Sequence, residues 1–171
     1  MAAMLAVHAL IPDAARIAEA VKGFRSLPHR LEYVGTARGV SFYNDSKATN
    51  TDSVRSALLS FERPIRIILG GSDKGEDFSV LTEDLKKHAA KLYLTGDTQD
   101  QMRQAWLGKI PLDCIDDFEQ CVRTAFEESL VGDIVVLSPA CASFDRFQNF
   151  EHRGEVFKQI IRSIIKENEK K

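Results

Sequence analysis

Asp133-Ile-Val-Val-Leu-Ser-Pro-Ala-Cys-Ala-Ser-Phe-Asp-Arg-Phe-Gln-Asn-Phe-Glu-His-Arg-Gly154 reads as a strand, a turn and the opening of a helix. Ile134 to Leu137 is a short unbroken apolar run, the pattern of a strand buried on both faces. It runs out into Ser138, Pro139 and small residues. Beyond Asn149, residues Val156, Phe157, Ile160, Ile161, Ile164 and Ile165 recur at helical spacing. A strand that ends this way ahead of a helix sets N–H groups and hydroxyls at the carboxyl edge of a sheet, where open α/β sheets take ligands. The plainer reading is a connection whose Phe144, Phe147 and Phe150 only pack, and other stretches must decide.

Back from this stretch, helix and strand patterns alternate as far as Thr51. Val54, Ala57, Leu58 and Phe61 mark one helical face, Ile65 to Leu69 a buried strand, and Phe78, Leu81 and Leu85 a second helix. Lys91 to Thr95 is a strand, Asp97 to Leu107 a helix carrying the single tryptophan, and Leu112 to Ile115 a short strand. Phe118, Cys121, Val122, Ala125 and Phe126 form a clean apolar stripe. Strands separated by helical crossovers run parallel. Earlier, Leu31 to Val34 and Val40 to Tyr43 flank Gly35-Thr-Ala-Arg-Gly39, which predicts an antiparallel hairpin turning there. The expected fold is α/β: a Rossmann-like, mostly parallel sheet of about six strands, with an antiparallel strand at its start and helices on both faces.

Residues 1 to 9 read as a helix with no cap and apolar residues nearly all round, as if cut from something larger. Pro12 and Asp13 open a second helix, with Ile17, Val21 and Phe24 at helical spacing and Gly23 closing it. The domain boundary is expected near Leu27-Pro28.

The 171 residues are 44% hydrophobic and 28% charged, an ordinary soluble balance with enough apolar material for one sizeable core. A net charge of −2 argues against nucleic acid or an acidic membrane surface as partner. No apolar run approaches the roughly 18 residues of a membrane span and no signal pattern opens the chain, so a cytoplasmic location is expected. Cys114, Cys121 and Cys141 match neither a metal spacing nor an even disulfide set and are expected as reduced core thiols.

Three polar segments follow strands on the edge that the parallel reading makes common. Asn44-Asp-Ser-Lys-Ala-Thr-Asn50 packs amide, carboxylate, hydroxyl and ammonium groups ahead of a helix start, where free N–H groups favour anions. Asn50, Thr51 or Asp52 also serves as a plain cap. Gly70-Gly-Ser-Asp-Lys-Gly75 lets the backbone turn sharply, and Lys74 is either an anion contact or a solvated turn residue. Neither G-x-G-x-x-G nor G-x-x-x-x-G-K-[ST] occurs. His29-Arg30 is a surface pair or a phosphate or ribose contact. His152 and Arg153, cations on a helix's first turn, are poorly placed against its dipole for a structural role, which favours a ligand.

Leu27-Pro-His-Arg-Leu-Glu32, Asn44 to Asn50, Leu69-Gly-Gly-Ser-Asp-Lys-Gly75, Leu137 to Asp145 and Asn149 to Gly154, in that order, closely resemble the C-terminal part of the Mur ligase family, ATP-dependent amide ligases of peptidoglycan synthesis, and within it the branch that adds D-glutamate. The resemblance covers about residues 27 to 165. It implies that residues 1–27 are the helical tail end of a central ATPase domain and 28–171 the C-terminal Rossmann-like, D-glutamate-binding domain. It further implies that ATP phosphorylates the alanine carboxylate of UDP-N-acetylmuramoyl-L-alanine and that the D-glutamate amine attacks the acyl phosphate through a tetrahedral intermediate. By motif position, Lys47 is the catalytic cation; Thr49, Lys74, Ser143 and Phe150, the last through its backbone, contact D-glutamate; and Arg30, Asp45 and, less closely, His29 contact ATP.

The family's Gly-rich loop, Mg²⁺ ligands and UDP-sugar domain are absent from the sequence. ATP and Mg²⁺ are therefore expected to be held mainly by the central domain, with no metal ligand here, and the chain by itself is expected to be inactive. Two other readings compete. A free-standing module binding a nucleotide or small anion is disfavoured by the capless apolar helix at Met1 to Ala9. A related ligase of the folylpolyglutamate or later peptidoglycan type is disfavoured by Ser138-Pro-Ala-Cys-Ala-Ser-Phe-Asp145.

Overall fold

The computed structural model of the chain describes residues 2–11, 13–22 and 27–169. Two helices come first, α1 (Ala2–Leu10) and α2 (Ala14–Lys22). Asp13 opens α2 as expected, its carboxylate accepting the Arg16 N–H at 3.0 Å. Met1, Pro12, Gly23, Phe24 and the side chain of Val21, on which the expected apolar start and helix closure partly rest, lie outside the described residues.

The body is a sheet of six strands in the order β1 (Glu32–Ala37), β2 (Val40–Asn44), β6 (Ile134–Leu137), β3 (Ile65–Leu69), β4 (Ala89–Leu94), β5 (Leu112–Cys114). β1 runs antiparallel to β2, and the other neighbours are parallel. Side chains of period two divide between two cores. Ile65, Ile67 and Leu69 of β3, Leu92 and Leu94 of β4 and Val136 of β6 face α3 (Thr51–Leu58), a 3-10 turn (Phe78–Leu81), α4 (Thr82–His88) and α5 (Gln99–Trp106). Phe42, Ile68, Tyr93, Val135 and Leu137 face α6 (Phe118–Glu127) and α7 (Phe150–Asn168). All five residues of the α6 stripe are buried, and Asp117 caps that helix on Gln120 N–H at 2.7 Å.

Two expectations need correction. The hairpin does not turn over Gly35–Gly39: β1 continues to Ala37, and the turn is Arg38-Gly39, with φ of 48° and 75°. Both positive values suit a two-residue turn whose twist matches the strands. Gly35 is instead a point of close approach, since a Cβ there would lie 2.6 Å from Ile165 Cδ1 of α7, and the register slips between Tyr33 and Gly35. Among the thiols, Cys121 and Cys141 are buried, and burial pushes their pKa up to about 12 and about 11. Cys114 is exposed, because it ends the edge strand β5.

Candidate functional site

β6 lies between β2 and β3. α7 leaves it toward one face of the sheet, while α3 and α4 leave its neighbours toward the other. Connections that part in this way open a crevice at the carboxyl ends of the strands. Its floor is stitched by the backbone. Asp45 N–H donates to Leu137 O at 2.8 Å, Gly70 N–H to Pro139 O at 2.8 Å and Ser72 N–H to Ala142 O at 2.9 Å. The glycine pair makes this possible. A Cβ on Gly70 would lie 1.7 Å from Thr95 O, and one on Gly71 2.1 Å from Ala142 O.

Arg153 is the brace of the crevice, not a ligand-seeking cation. It is 2% exposed and donates to Ser46 Oγ at 3.0 Å, Ser46 O at 2.9 Å, Cys141 O at 3.0 Å and Ala142 O at 3.1 Å. Burial pulls its pKa down to about 10, so it remains a cation at neutral pH. Those acceptors outweigh the unfavourable dipole of the helix start. Ser46 Oγ in turn donates to Phe150 O at 2.8 Å, and the Phe150 N–H stands in the first turn of α7, where the Asn149 cap takes the His152 N–H and not this one. His152 is exposed; its N–H is taken by the Asn149 cap at 2.7 Å and its ring stands edge-on to Phe147.

Arg30, Asp45 and Lys47 line one pocket of about 220 Å³ together with Ser53 and Ser56 of α3 and Ser60 just beyond its end. Asp45 is 7% exposed, and both its oxygens are engaged: Leu31 N–H donates to Oδ1 at 3.2 Å and Ser138 Oγ to Oδ2 at 2.8 Å. Burial raises its pKa to about 6 against the lowering pull of those donors and of Arg30. Lys47 is exposed, with Nζ 4.2 Å from the centre of the Phe150 ring. Thr49 is half-buried two residues on, its N–H donating to Lys47 O at 2.9 Å.

Ser143, buried, and Lys74, exposed, sit on the neighbouring loops after β6 and β3. Lys47 and Lys74 form no ion pair among the described residues, whereas Lys86, Lys91 and Lys158 do. Asn50 proves to be the plain cap of α3, accepting Ser53 N–H at 2.9 Å. Phe147 packs on Phe118, but Phe144 is 72% exposed beside Ser143, so the reading in which all three phenylalanines only pack fails there.

His29 is turned inward. It is 6% exposed, with Nδ1 3.0 Å from Asn44 Nδ2 and Nε2 3.8 Å from a Glu155 oxygen. Asn44 and Ser46 escaped the sequence reading as individuals. Asn44 is in phase with Val40 and Phe42, so the strand period marks it as a buried amide.

Arg30 and Lys47 offer two cations to the phosphates of a nucleotide, so the pocket fits one in charge. Among the described residues no group of three His, Cys, Asp or Glu could hold a metal ion, and no helix is long and apolar enough to cross a membrane.

Sheet and crevice define a Rossmann-like α/β domain whose carboxyl edge presents Lys47 and Lys74, neither in an ion pair among the described residues. Residues 29–141 match the family model described as Mur ligase, glutamate ligase domain. The chain is 43% identical over 164 residues to UDP-N-acetylmuramoylalanine--D-glutamate ligase of Solibacter usitatus, covering 96% of this chain and 37% of that protein. It is 41% identical over 155 residues to the protein of the same name from Koribacter versatilis, covering 91% and 34%. The chain belongs to the Mur ligase family, and spans about a third of the length of these curated relatives. Among solved structures, its fold is similar to a pseudomurein peptide ligase type C from Methanothermus fervidus, with a TM-score of 0.65 at 15% identity over 95% of this chain and 34% of that one. It is also similar to bifunctional folylpolyglutamate synthase/dihydrofolate synthase from Yersinia pestis, with a TM-score of 0.62 at 15% identity over 87% and 34%.

Proposed function

We propose that residues 28–171 are the D-glutamate-binding domain of a cytoplasmic ATP-dependent ligase of peptidoglycan synthesis that joins D-glutamate to UDP-N-acetylmuramoyl-L-alanine, and that residues 1–27 end its central ATPase domain. The family model beginning at residue 29 and the names of the relatives support this reading. The observation that carries it is the placement of Lys47: an exposed ammonium, free of carboxylates among the described residues, over the Phe150 ring and on the pocket shared with Arg30 and Asp45.

In this reading Arg30 and Asp45 hold the nucleotide, and Thr49, Lys74, Ser143 and the Phe150 N–H hold the two carboxylates of D-glutamate. Charge-assisted hydrogen bonds from lysines and exposed N–H groups suit a dianionic amino acid. ATP, with Mg²⁺ held by the other domains, supplies the activated phosphoryl group. Lys47 offsets negative charge that grows as the acyl phosphate forms and as the amine adds to it, a contact stronger in the transition state than before it.

The test is Lys47→Ala in the intact ligase that carries this chain. Turnover at saturating ATP, acceptor and D-glutamate is expected to fall on the order of a hundredfold with an unchanged melting temperature, by analogy with loss of one preorganised donor. Normal turnover beside a lowered melting temperature would reduce Lys47 to a structural part of the turn.

A further inference from the structure

We propose that His29 is a positioning residue for Lys47 and Phe150 and not a ligand of the nucleotide; the proposal rests on the role given above to Lys47. His29 touches both ends of the lysine's environment. Its carbonyl accepts the Lys47 N–H at 3.0 Å, fixing the lysine backbone. Its ring meets the Phe150 ring edge-on, with centroids 6.0 Å apart, and Phe150 carries the Lys47 ammonium on its face. One residue thus links the start of the Lys47 stem, through its carbonyl, to the surface on which the lysine's charge rests, through its ring.

The histidine is itself held from every side. Its N–H donates to Glu32 at 2.9 Å, and Lys158 bridges Glu32 and Glu155 at 3.1 and 2.7 Å. Asn44 Oδ1 accepts the Ser46 N–H at 3.1 Å, which points the amide nitrogen of Asn44 at Nδ1 and makes Nδ1 the acceptor. The backbone sits at φ 62°, a conformation that costs a bulky residue about 1 kcal/mol or more unless its surroundings over-determine it. α7 presses directly on the ring. A Cβ on Gly154 would lie 2.2 Å from His29 Nδ1 and 3.1 Å from Asn44 Nδ2, so this turn of the helix needs glycine for reasons of space. Nδ1 is taken up by Asn44, Nε2 faces the Glu155 carboxylate at 3.8 Å, and His29 does not line the pocket that Arg30, Asp45 and Lys47 share.

The test compares His29→Asn, Gly154→Ala and Lys47→Ala in the intact ligase, with turnover, the KM for ATP and a thermal melt for each, assayed where all three remain folded. Asparagine tolerates positive φ, so His29→Asn keeps the carbonyl that holds Lys47 while deleting the ring. Gly154→Ala removes no functional group and displaces the ring by its methyl. Both are expected to lower turnover by about ten- to a hundredfold with the KM for ATP within about twofold, the signature of a misplaced catalytic group. In the Lys47→Ala background, His29→Asn is expected to cost nothing further, because its effect passes through the lysine. A raised KM for ATP with normal turnover would make His29 a nucleotide ligand; a lowered melting temperature with normal turnover, or full additivity with Lys47→Ala, would make it purely structural. Each of these overturns the proposal. If Lys47→Ala alone leaves turnover normal, the reading of Lys47 has failed; if it slows the enzyme while His29→Asn does not, the positioning role alone has failed.

Discussion

Among single residues, Asp45 shows how burial and function pull against each other. Its carboxyl titrates near pH 6 in the folded chain and at an ordinary 3.8 when exposed, because burial outweighs the donors around it. A carboxyl with a raised folded pKa takes up a proton on folding between those two values. Its contribution to stability is therefore most favourable below about pH 4, declines as pH rises to about 6, and stays at the lower level above. Asp45→Asn keeps the acceptor for Leu31 N–H and abolishes the titration. Compared by urea denaturation, the variant is expected to gain on the wild-type chain by about 2 kcal/mol between pH 4 and 7. A constant difference across that range would show that the carboxylate is solvated after all. The sequence placed Asp45, Lys47, Lys74 and Ser143 on one edge, because each follows a strand that the helix-strand alternation makes parallel. It misread Arg153. A cation at a helix start looks like a ligand residue until the carbonyls of Ser46, Cys141 and Ala142 are seen to surround it, and those belong to segments far apart in the chain.

The elements were legible wherever one face repeats. The α6 stripe and the buried strands β3 and β6 needed no correction of kind. The first hairpin did, because Gly35 carries the same letter as a turn glycine and only the packing of Ile165 tells the two apart. Caps belong to this scale, and that of α7 bears on the site. Asn149 accepts the His152 N–H at 2.7 Å and so sets the helix opening that presents Phe150. Asn149→Ala is expected to cost about 1 kcal/mol in chemical denaturation and to weaken the D-glutamate dependence of the intact ligase. Asp117→Ala, which removes the equivalent cap of α6, is expected to cost a similar amount and leave that dependence unchanged. Equal effects of the two on D-glutamate would mean that the α7 opening has no special part in binding.

For the molecule as a whole, the expected division of labour has a direct assay. The described residues offer cations and N–H groups but no set of metal donors. The 171-residue chain by itself is expected to release no ADP on addition of ATP, Mg²⁺, D-glutamate and UDP-N-acetylmuramoyl-L-alanine. ADP release that depends on both D-glutamate and the acceptor would overturn the view that the transfer needs residues outside this chain.

The position of β6 has a consequence for how such a chain comes into being. Ser41 pairs with Ile134, and Arg66 with Val135, so the last strand made is the one that joins the two halves of the sheet. A ribosome delivers β1 and β2, then β3, β4 and β5, as two open ribbons whose facing edges have no partner until β6 emerges. Pairing across so long a stretch of chain is slow, and unpaired strand edges invite aggregation in the interval. A stop codon just before Asp133 would thus not trim the domain but leave it in two unjoined pieces, held for degradation or a chaperone.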